Sequence, residues 1–195
     1  MAKISLILKD DFFTQKQFFM KQTGIKKAIG LTLGVMSISL AMWAQGARPS
    51  PAATATGKVG GATITINYSS PSVKGRKIWG GLVPYDKAWR AGANEATTFE
   101  TSKEIKVEGK TLAAGKYSLF AVPGEKEWSF IFNSETGQWG IKRTGEANHD
   151  PAKDVLTIKV KPGKAATMTE RLVYDVTAKG FALRWENVSV PVSIK

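Results

Sequence analysis

The chain has no cysteine and only one histidine, His149. Without cysteine, no disulfide can cross-link the fold and no lipidated cysteine can anchor it, so stability must come from a packed core. With one histidine, a multi-histidine zinc site of the HEXXH type is excluded, and a Ser-His-Asp triad has a single candidate base. We therefore expect neither a metal nor a cofactor.

Long runs of one charge are also missing, although the chain is basic, with 28 Lys and Arg against 16 Asp and Glu. Opposite charges alternate instead, as in Lys103-Glu104 and Lys126-Glu127, which is typical of a solvated surface. No nucleic-acid-reading motif is present, so we expect no nucleic-acid partner. A basic surface of this kind suits an anionic glycan or a membrane leaflet.

The one long apolar run lies near the N-terminus. Residues 20–44 join a basic stretch to the 17-residue run Ala28–Ala44, and Gln45-Gly46-Ala47 follows. This pattern predicts a signal peptide that is cleaved after Ala44 or Gly46. The alternative, an uncleaved anchor, fits less well because the run is short for a membrane span and is interrupted by small or polar residues. We expect a periplasmic or secreted protein without a stable membrane anchor.

Residues 1–19 precede this signal, and their Asp10 and Asp11 do not suit a basic leader. We interpret them as a mis-called upstream extension and Met20 as the start; an amphipathic extension is the alternative. Cleavage leaves a net charge of +8. Residues 45–52 are small and Pro-rich, which predicts a linker. Residues 53–195 then form a single domain, because about 150 residues suffice for one core and are too few for two.

Most of this domain consists of short alternating apolar and polar runs. Thr54–Val59 and Ala62–Tyr68 are joined by Gly60-Gly61, a strong hairpin signal. Turn signals separate the further runs: Thr97–Ser102, Ile105–Val107, Gly115–Val122, Trp128–Asn133, Val155–Val160, Met168–Val176, Phe181–Trp185 and Val188–Ile194. The pattern predicts an all-β protein, an antiparallel β-sandwich or jelly-roll-like domain of about nine or ten strands. Only Tyr85–Ala91 suggests a short helix, with Asp86 as its cap.

The segment Tyr68–Thr98 differs from these runs. It contains two Trp, two Tyr, two Arg and three Lys in a turn-rich stretch, a composition that favours a surface site or a tightly pinned loop. Its glycines do not form a phosphate loop, because Gly81-Leu82 stand where a Walker motif has Lys and Ser or Thr.

The phrases PSVKGRKIWGGLVPYDKAWRAGANEATTF, VEGKTLAAGKYSLFAVPGEKEWSFIFN and QWG occur in this order. They closely resemble the exported β-domain family known as domain of unknown function 2911, over about Ala53 to Lys195. The resemblance implies the fold and export, and no activity. The family's signature residues match at Gly75, Arg76, Trp79, Gly80, Trp89, Arg90, Gly92, Ala93, Asn94, Glu95 and Thr97.

Two interpretations of this phrase stay open. In the first, loop residues form a binding site for a glycan or another cell-envelope ligand, with aromatic rings stacking on sugars and polar groups bonding hydroxyls or carboxylates. The predicted site residues are Arg76, Trp79, Tyr85, Trp89, Arg90, Asn94 and Glu95. In the second, Trp79 and Trp89 close the end of the core, Arg90 and Glu95 form an internal ion pair, and Asn94 caps a turn.

The leading functional hypothesis is therefore a non-catalytic binding or interaction domain. The alternatives are a glycan-directed hydrolase that uses Glu95 as its acid or base, and an envelope structural protein whose motif is core scaffold. The acidic residues around His149 have a spacing that could hold a cation, but Asn148-His149-Asp150-Pro151 is better explained as a turn. Trp128 and Trp185 alternate with apolar residues and are predicted core, while Trp139 is either an exposed contact or a second lid.

Overall fold

The computed structural model describes residues 48–195. The predicted extension, the signal peptide and the first part of the linker lie outside the described residues. Within the described part, no helix is long and apolar enough to cross a membrane.

Residues 48–195 form ten β-strands and one short 3₁₀ turn, Pro151–Lys153. The strands are β1 Ala52–Val59, β2 Ala62–Ser69, β3 Thr98–Thr101, β4 Ile105–Val107, β5 Lys110–Leu112, β6 Gly115–Val122, β7 Trp128–Asn133, β8 Asp154–Val160, β9 Gly163–Thr177 and β10 Gly180–Ser193. The predicted all-β class is thus confirmed. The short strand β5 escaped prediction, since Lys110-Thr111-Leu112 is too short for a pattern.

One six-stranded antiparallel sheet forms the main layer, in the order β1-β2-β3-β6-β7-β8. The long hairpin of β9 and β10 forms the second layer, and β4 with β5 forms a small separate hairpin. The core lies between the layers, where Phe99 and Phe132 of the sheet are buried with Leu183 of the hairpin. The antiparallel sandwich is therefore confirmed as well.

The first hairpin follows the predicted pattern. Gly60 and Gly61 have φ angles of 54° and 81°, the left-handed geometry that a two-residue turn requires. In β2, Ile64 and Ile66 are fully buried while Thr63 on the opposite face is exposed. Alternation therefore placed the strand and its buried face correctly.

The predicted helix at Tyr85–Ala91 is wrong. Asp86 and Ala91 have φ angles of 57° and 52°, outside the helical region, and Trp89 exchanges two backbone hydrogen bonds with Ala121 of β6, at 2.7 and 2.8 Å. The segment instead follows the end of the sandwich, because this path buries the Trp89 side chain.

Candidate binding site

The β2–β3 connection, residues 70–97, crosses one end of the sandwich and carries every predicted site residue. It is tied to β9 on one side, where Val73 N donates to Glu170 O and Leu172 N to Pro71 O, at 2.8 and 2.9 Å. On the other side Ala93 N donates to Ser69 O at 3.1 Å. The connection is thus a pinned loop.

The carbonyl of the fully buried Ala91 attaches the loop at a further point. It accepts hydrogen bonds from the hydroxyls of Tyr174, at 2.9 Å, and Thr97, at 3.1 Å. Burial raises the pKa of Tyr174 well above its ordinary value, so this hydroxyl stays protonated and donates. The two bonds hold Ala91 in its left-handed conformation and so fix the direction of the neighbouring Arg90.

Four tryptophans meet beneath the loop. Trp79 contacts Trp89, Trp128 and Trp185 edge-on, with ring centroids 5.9, 4.8 and 5.7 Å apart, and Trp89 stacks on Trp185 at 6.0 Å. Trp79 and Trp89 are only 8% and 9% exposed. Both rings therefore close the end of the core, as the structural interpretation expects, and neither offers a free face on which a sugar could stack.

Arg90 lies beside this cluster. Its aliphatic stem packs so closely on Gly140 that a methyl group there would overlap it. Its Nε is closed to solvent, and no residue of 48–195 accepts a hydrogen bond from it. None of the four ion pairs within residues 48–195 includes Arg90. Burial lowers the pKa of Arg90, but a guanidinium stays protonated in proteins. Arg90 is thus a half-buried cation without a counter-charge in the described part.

Arg76 is fixed near Arg90 by the backbone. Its Nε donates to Val73 O at 3.1 Å and one Nη donates to Ser72 O. The left-handed Lys74 and Gly75, with φ angles of 47° and 67°, make the turn that allows this. The remaining Arg76 donors are available to a ligand.

A pocket of about 200 Å³ joins the two arginines. Trp89 and Trp185 form part of its wall, and the other lining residues are Ser50, Pro71, Leu82, Val83, Gly92 and Ala93. The Nε1 of Trp185 is buried and has no acceptor in the described part of the chain, whereas Trp89 Nε1 donates to Gly92 O at 3.2 Å. The pocket thus combines cationic donors with an apolar wall.

Glu95 does not line this pocket. Its carboxylate accepts a hydrogen bond from Arg48 at 2.7 Å, and both side chains are about half exposed or more. The expected Arg90–Glu95 pair is therefore wrong. The hydrogen bond from Arg48 is the main reason that the pKa of Glu95 lies below its ordinary value. Asn94, with φ of 58°, holds a turn and donates to Ser50 O at 3.0 Å.

A family model described as a protein of unknown function (DUF2911) matches residues 50–194. The chain belongs to the DUF2911 family. The match confirms the family resemblance that the sequence shows over about Ala53 to Lys195. No curated protein and no solved structure matches the chain.

In this DUF2911 chain the seven predicted residues do not share one cavity. Arg76, Trp89 and Arg90 line the 200 Å³ pocket, and Trp79 lies in the core behind it. Tyr85 lines a separate depression of about 590 Å³ beside Glu127 and Lys159. Glu95 lines a third one of about 260 Å³, next to β1 and β2. Of the seven predicted residues, the structure thus brings together only Arg76, Trp89 and Arg90 in one pocket.

The cluster around His149 is held by internal bonds. His149 Nε2 and Asn133 Nδ2 both contact the same Asp154 oxygen, at 2.7 and 2.8 Å, and Asp150 accepts from Ala152 N in the 3₁₀ turn. Among residues 48–195, no group of three or more His, Cys, Asp or Glu is arranged to hold a metal ion. The sequence interpretation as a turn agrees with these bonds.

Three residues that shape the site were not predicted as site residues. Trp185 was predicted as core, which is correct, yet it also lines the pocket of the DUF2911 loop. Gly140 supports the Arg90 stem, and Arg48 takes the place that Arg90 was expected to have beside Glu95. No local pattern marks these residues, because each meets the loop only through the fold.

Proposed function

We propose that this DUF2911 protein is an exported, non-catalytic binding domain of the cell envelope, and that the pocket beside Arg76 and Arg90 receives its glycan ligand. One observation carries the proposal: Arg90 is a half-buried cation that no described group neutralises. An uncompensated charge costs folding free energy, so a role in ligand binding explains Arg90 better than a role in stability does.

Rigidity of the loop supports a binding role. The backbone around Arg90 is fixed by Tyr174 and Thr97, and Arg76 by two carbonyls. Donors held in place before binding lose little freedom when a ligand arrives. Within this proposal Trp89 and Trp185 form the apolar wall of the site.

The hydrolase hypothesis is less well supported. As an acid, Glu95 would need a pKa raised toward the working pH, whereas the exposed pair with Arg48 lowers its pKa. As a base, it would need a free carboxylate, whereas Arg48 already donates to one of its oxygens. Glu95 also lines a different depression from the two arginines. A carboxylate in this setting suits a surface ion pair.

Export follows from the predicted signal peptide and remains part of the proposal. Residues 48–195 carry the net charge of +8, which suits the anionic polymers of a cell envelope. Glycan and cell-envelope fragments are therefore the first ligands to test.

The test is a binding screen of the purified protein on an array of glycans and peptidoglycan fragments. Arg90→Met keeps the stem that packs on Gly140 and removes the charge. Arg143→Met removes an equivalent charge from the exposed hairpin 141–147 and is the matched control. We expect hits that Arg143→Met keeps and Arg90→Met loses. An array without hits for the wild type would overturn the proposal, as would hits that both variants keep.

A further inference from the structure

We infer that the group which enters the pocket is an oxyanion, a carboxylate or a phosphate, gripped between Arg76 and Arg90. This inference rests on the proposed function and narrows it to acidic ligands.

The polar side-chain groups of the pocket are the first argument. Its arginine and indole N–H groups are donors only, and none of the ten lining residues is Asp or Glu. Arg90 Nε and Trp185 Nε1 have no acceptor within residues 48–195 but are closed to solvent, so the remaining guanidinium N–H groups of Arg76 and Arg90 are the donors left for a ligand. A carboxylate or phosphate is acceptor-only and matches such a donor set, with charge-assisted bonds to the guanidinium groups.

The charge distribution is the second argument. Residues 71–93 contain five basic residues and only one acid, Asp86. The nearby Glu95 already pairs with Arg48. The lining of the pocket itself has two arginines and no carboxylate, so a bound oxyanion would supply the counter-charge that Arg90 lacks.

Pocket size is the third argument. About 200 Å³ is less than the 300–1,000 Å³ of ordinary ligand pockets. It can therefore hold one acidic group and part of a ring, with the rest of the ligand outside. This fits an acidic substituent or a chain end of a larger envelope polymer.

Trp185 adds support and does not carry the inference alone. Its indole contacts Trp79 edge-on, and an aromatic face can weakly accept an N–H. Arg90 is different, because a guanidinium needs a true acceptor and a negative charge. The experiment therefore tests Trp185 and Arg90 separately.

The probes are paired by charge: glucuronate against glucose, N-acetylmuramic acid against N-acetylglucosamine, and inorganic phosphate by itself. Binding is followed by calorimetry and by the indole N–H resonances in nitrogen-labelled protein. We expect the acidic probes to bind and to shift the Trp185 indole resonance, while the exposed Trp139 stays unchanged. Comparison of phosphate with the sugar acids distinguishes the two oxyanion sources.

Two Arg90 variants test whether its guanidinium binds the oxyanion. Arg90→Lys keeps a charge without the planar fork, and Arg90→Met removes the charge. We expect Arg90→Met to weaken binding of the acidic probe about ten- to a hundredfold, the usual effect of losing a charged hydrogen bond. Arg90→Lys should fall in between, and Arg143→Met should bind as the wild type does.

The outcomes separate the two proposals. Array hits that are neutral glycans, with no preference for the acidic member of any pair, would overturn the oxyanion inference and leave the binding function intact. Oxyanion binding that depends on Arg90, in a protein with no glycan hits, would support the inference and overturn the glycan proposal. Acidic probes that bind with equal affinity to Arg90→Met would also overturn the inference.

Discussion

At the residue scale, the segment Tyr68–Thr98 contains both a candidate binding residue, Arg90, and core residues, the tryptophans. The phrase predicts a site or a scaffold, and the structure has both: Trp79 and Trp89 are core, while Arg90 and Arg76 line a pocket. Composition could single out these residues. It could not assign the roles, because burial of a loop tryptophan depends on what the opposite layer places beneath it.

Trp79→Ala and Trp139→Ala should differ sharply in stability. Trp79 is buried among three other tryptophans, so its loss should lower the free energy of unfolding by about 3–5 kcal/mol. Trp139 is 50% exposed, and its loss should change stability by no more than about 0.5 kcal/mol. Urea denaturation measures both values. Equal costs would contradict the assignment of Trp79 to the core.

Glu95→Gln should have a small, pH-dependent effect. The exposed pair with Arg48 should contribute no more than about 1 kcal/mol. Because pairing lowers the folded-state pKa of Glu95, the stabilisation is present above the ordinary carboxyl pKa and is lost as the pH falls through the folded-state value. Melting curves of both proteins should therefore converge in acid. A large loss at neutral pH would show that Glu95 is a buried partner after all.

At the element scale, backbone hydrogen bonds tie the β2–β3 loop to β2, β6 and β9. Alternation predicted β6 and β7 with correct ends and β2 to within one residue, because each buries one face or lies largely within the core. Alternation also predicted two strands, Phe181–Trp185 and Val188–Ile194, where the structure has the single strand β10. Irregular pairing around Glu186, whose φ is 54°, interrupts the pattern without ending the strand.

The false helix at Tyr85–Ala91 has a related cause. Its residues contain a plausible cap and no helix breaker, so local propensity favours a turn of helix. Tertiary contacts decide otherwise, since Trp89 pairs with Ala121 and Asp86 N donates to Pro123 O. The site could be predicted only as far as its composition, because its shape comes from these distant partners.

Gly140→Ala tests whether the opposite loop positions Arg90. An added methyl group would overlap the Arg90 stem and lie 2.8 Å from Asn94 O, so Arg90 must move. We expect weaker ligand binding and a lower melting temperature. Gly163→Ala is the control, because the nearest atom to its added methyl group is 3.6 Å away. Unchanged binding by Gly140→Ala would contradict the positioning role.

At the scale of the whole molecule, a cysteine-free sandwich closes one end with four tryptophans and places its pinned loop over them. The absence of cysteine predicted a stability that depends on packing, and the buried aromatic residues of both layers fit that expectation. Two of these tryptophans, Trp89 and Trp185, also form part of the pocket wall.

Export can be tested by deletion. Removal of residues 1–19 should leave the protein in the periplasm or medium, because the predicted signal begins at Met20. Removal of residues 20–44 should retain it in the cytoplasm. Immunoblots of cell fractions measure both. Loss of export after the first deletion would show that the upstream residues belong to the signal.

In the proposed function, Arg90 serves ligand binding and not stability. The most direct measurement compares the melting temperatures of ligand-free wild type and Arg90→Met. Since Arg90→Met keeps the packed stem and removes an uncompensated charge, we expect its melting temperature to equal or exceed that of the wild type. A clearly lower value would mean that the guanidinium stabilises the fold, and would contradict the account.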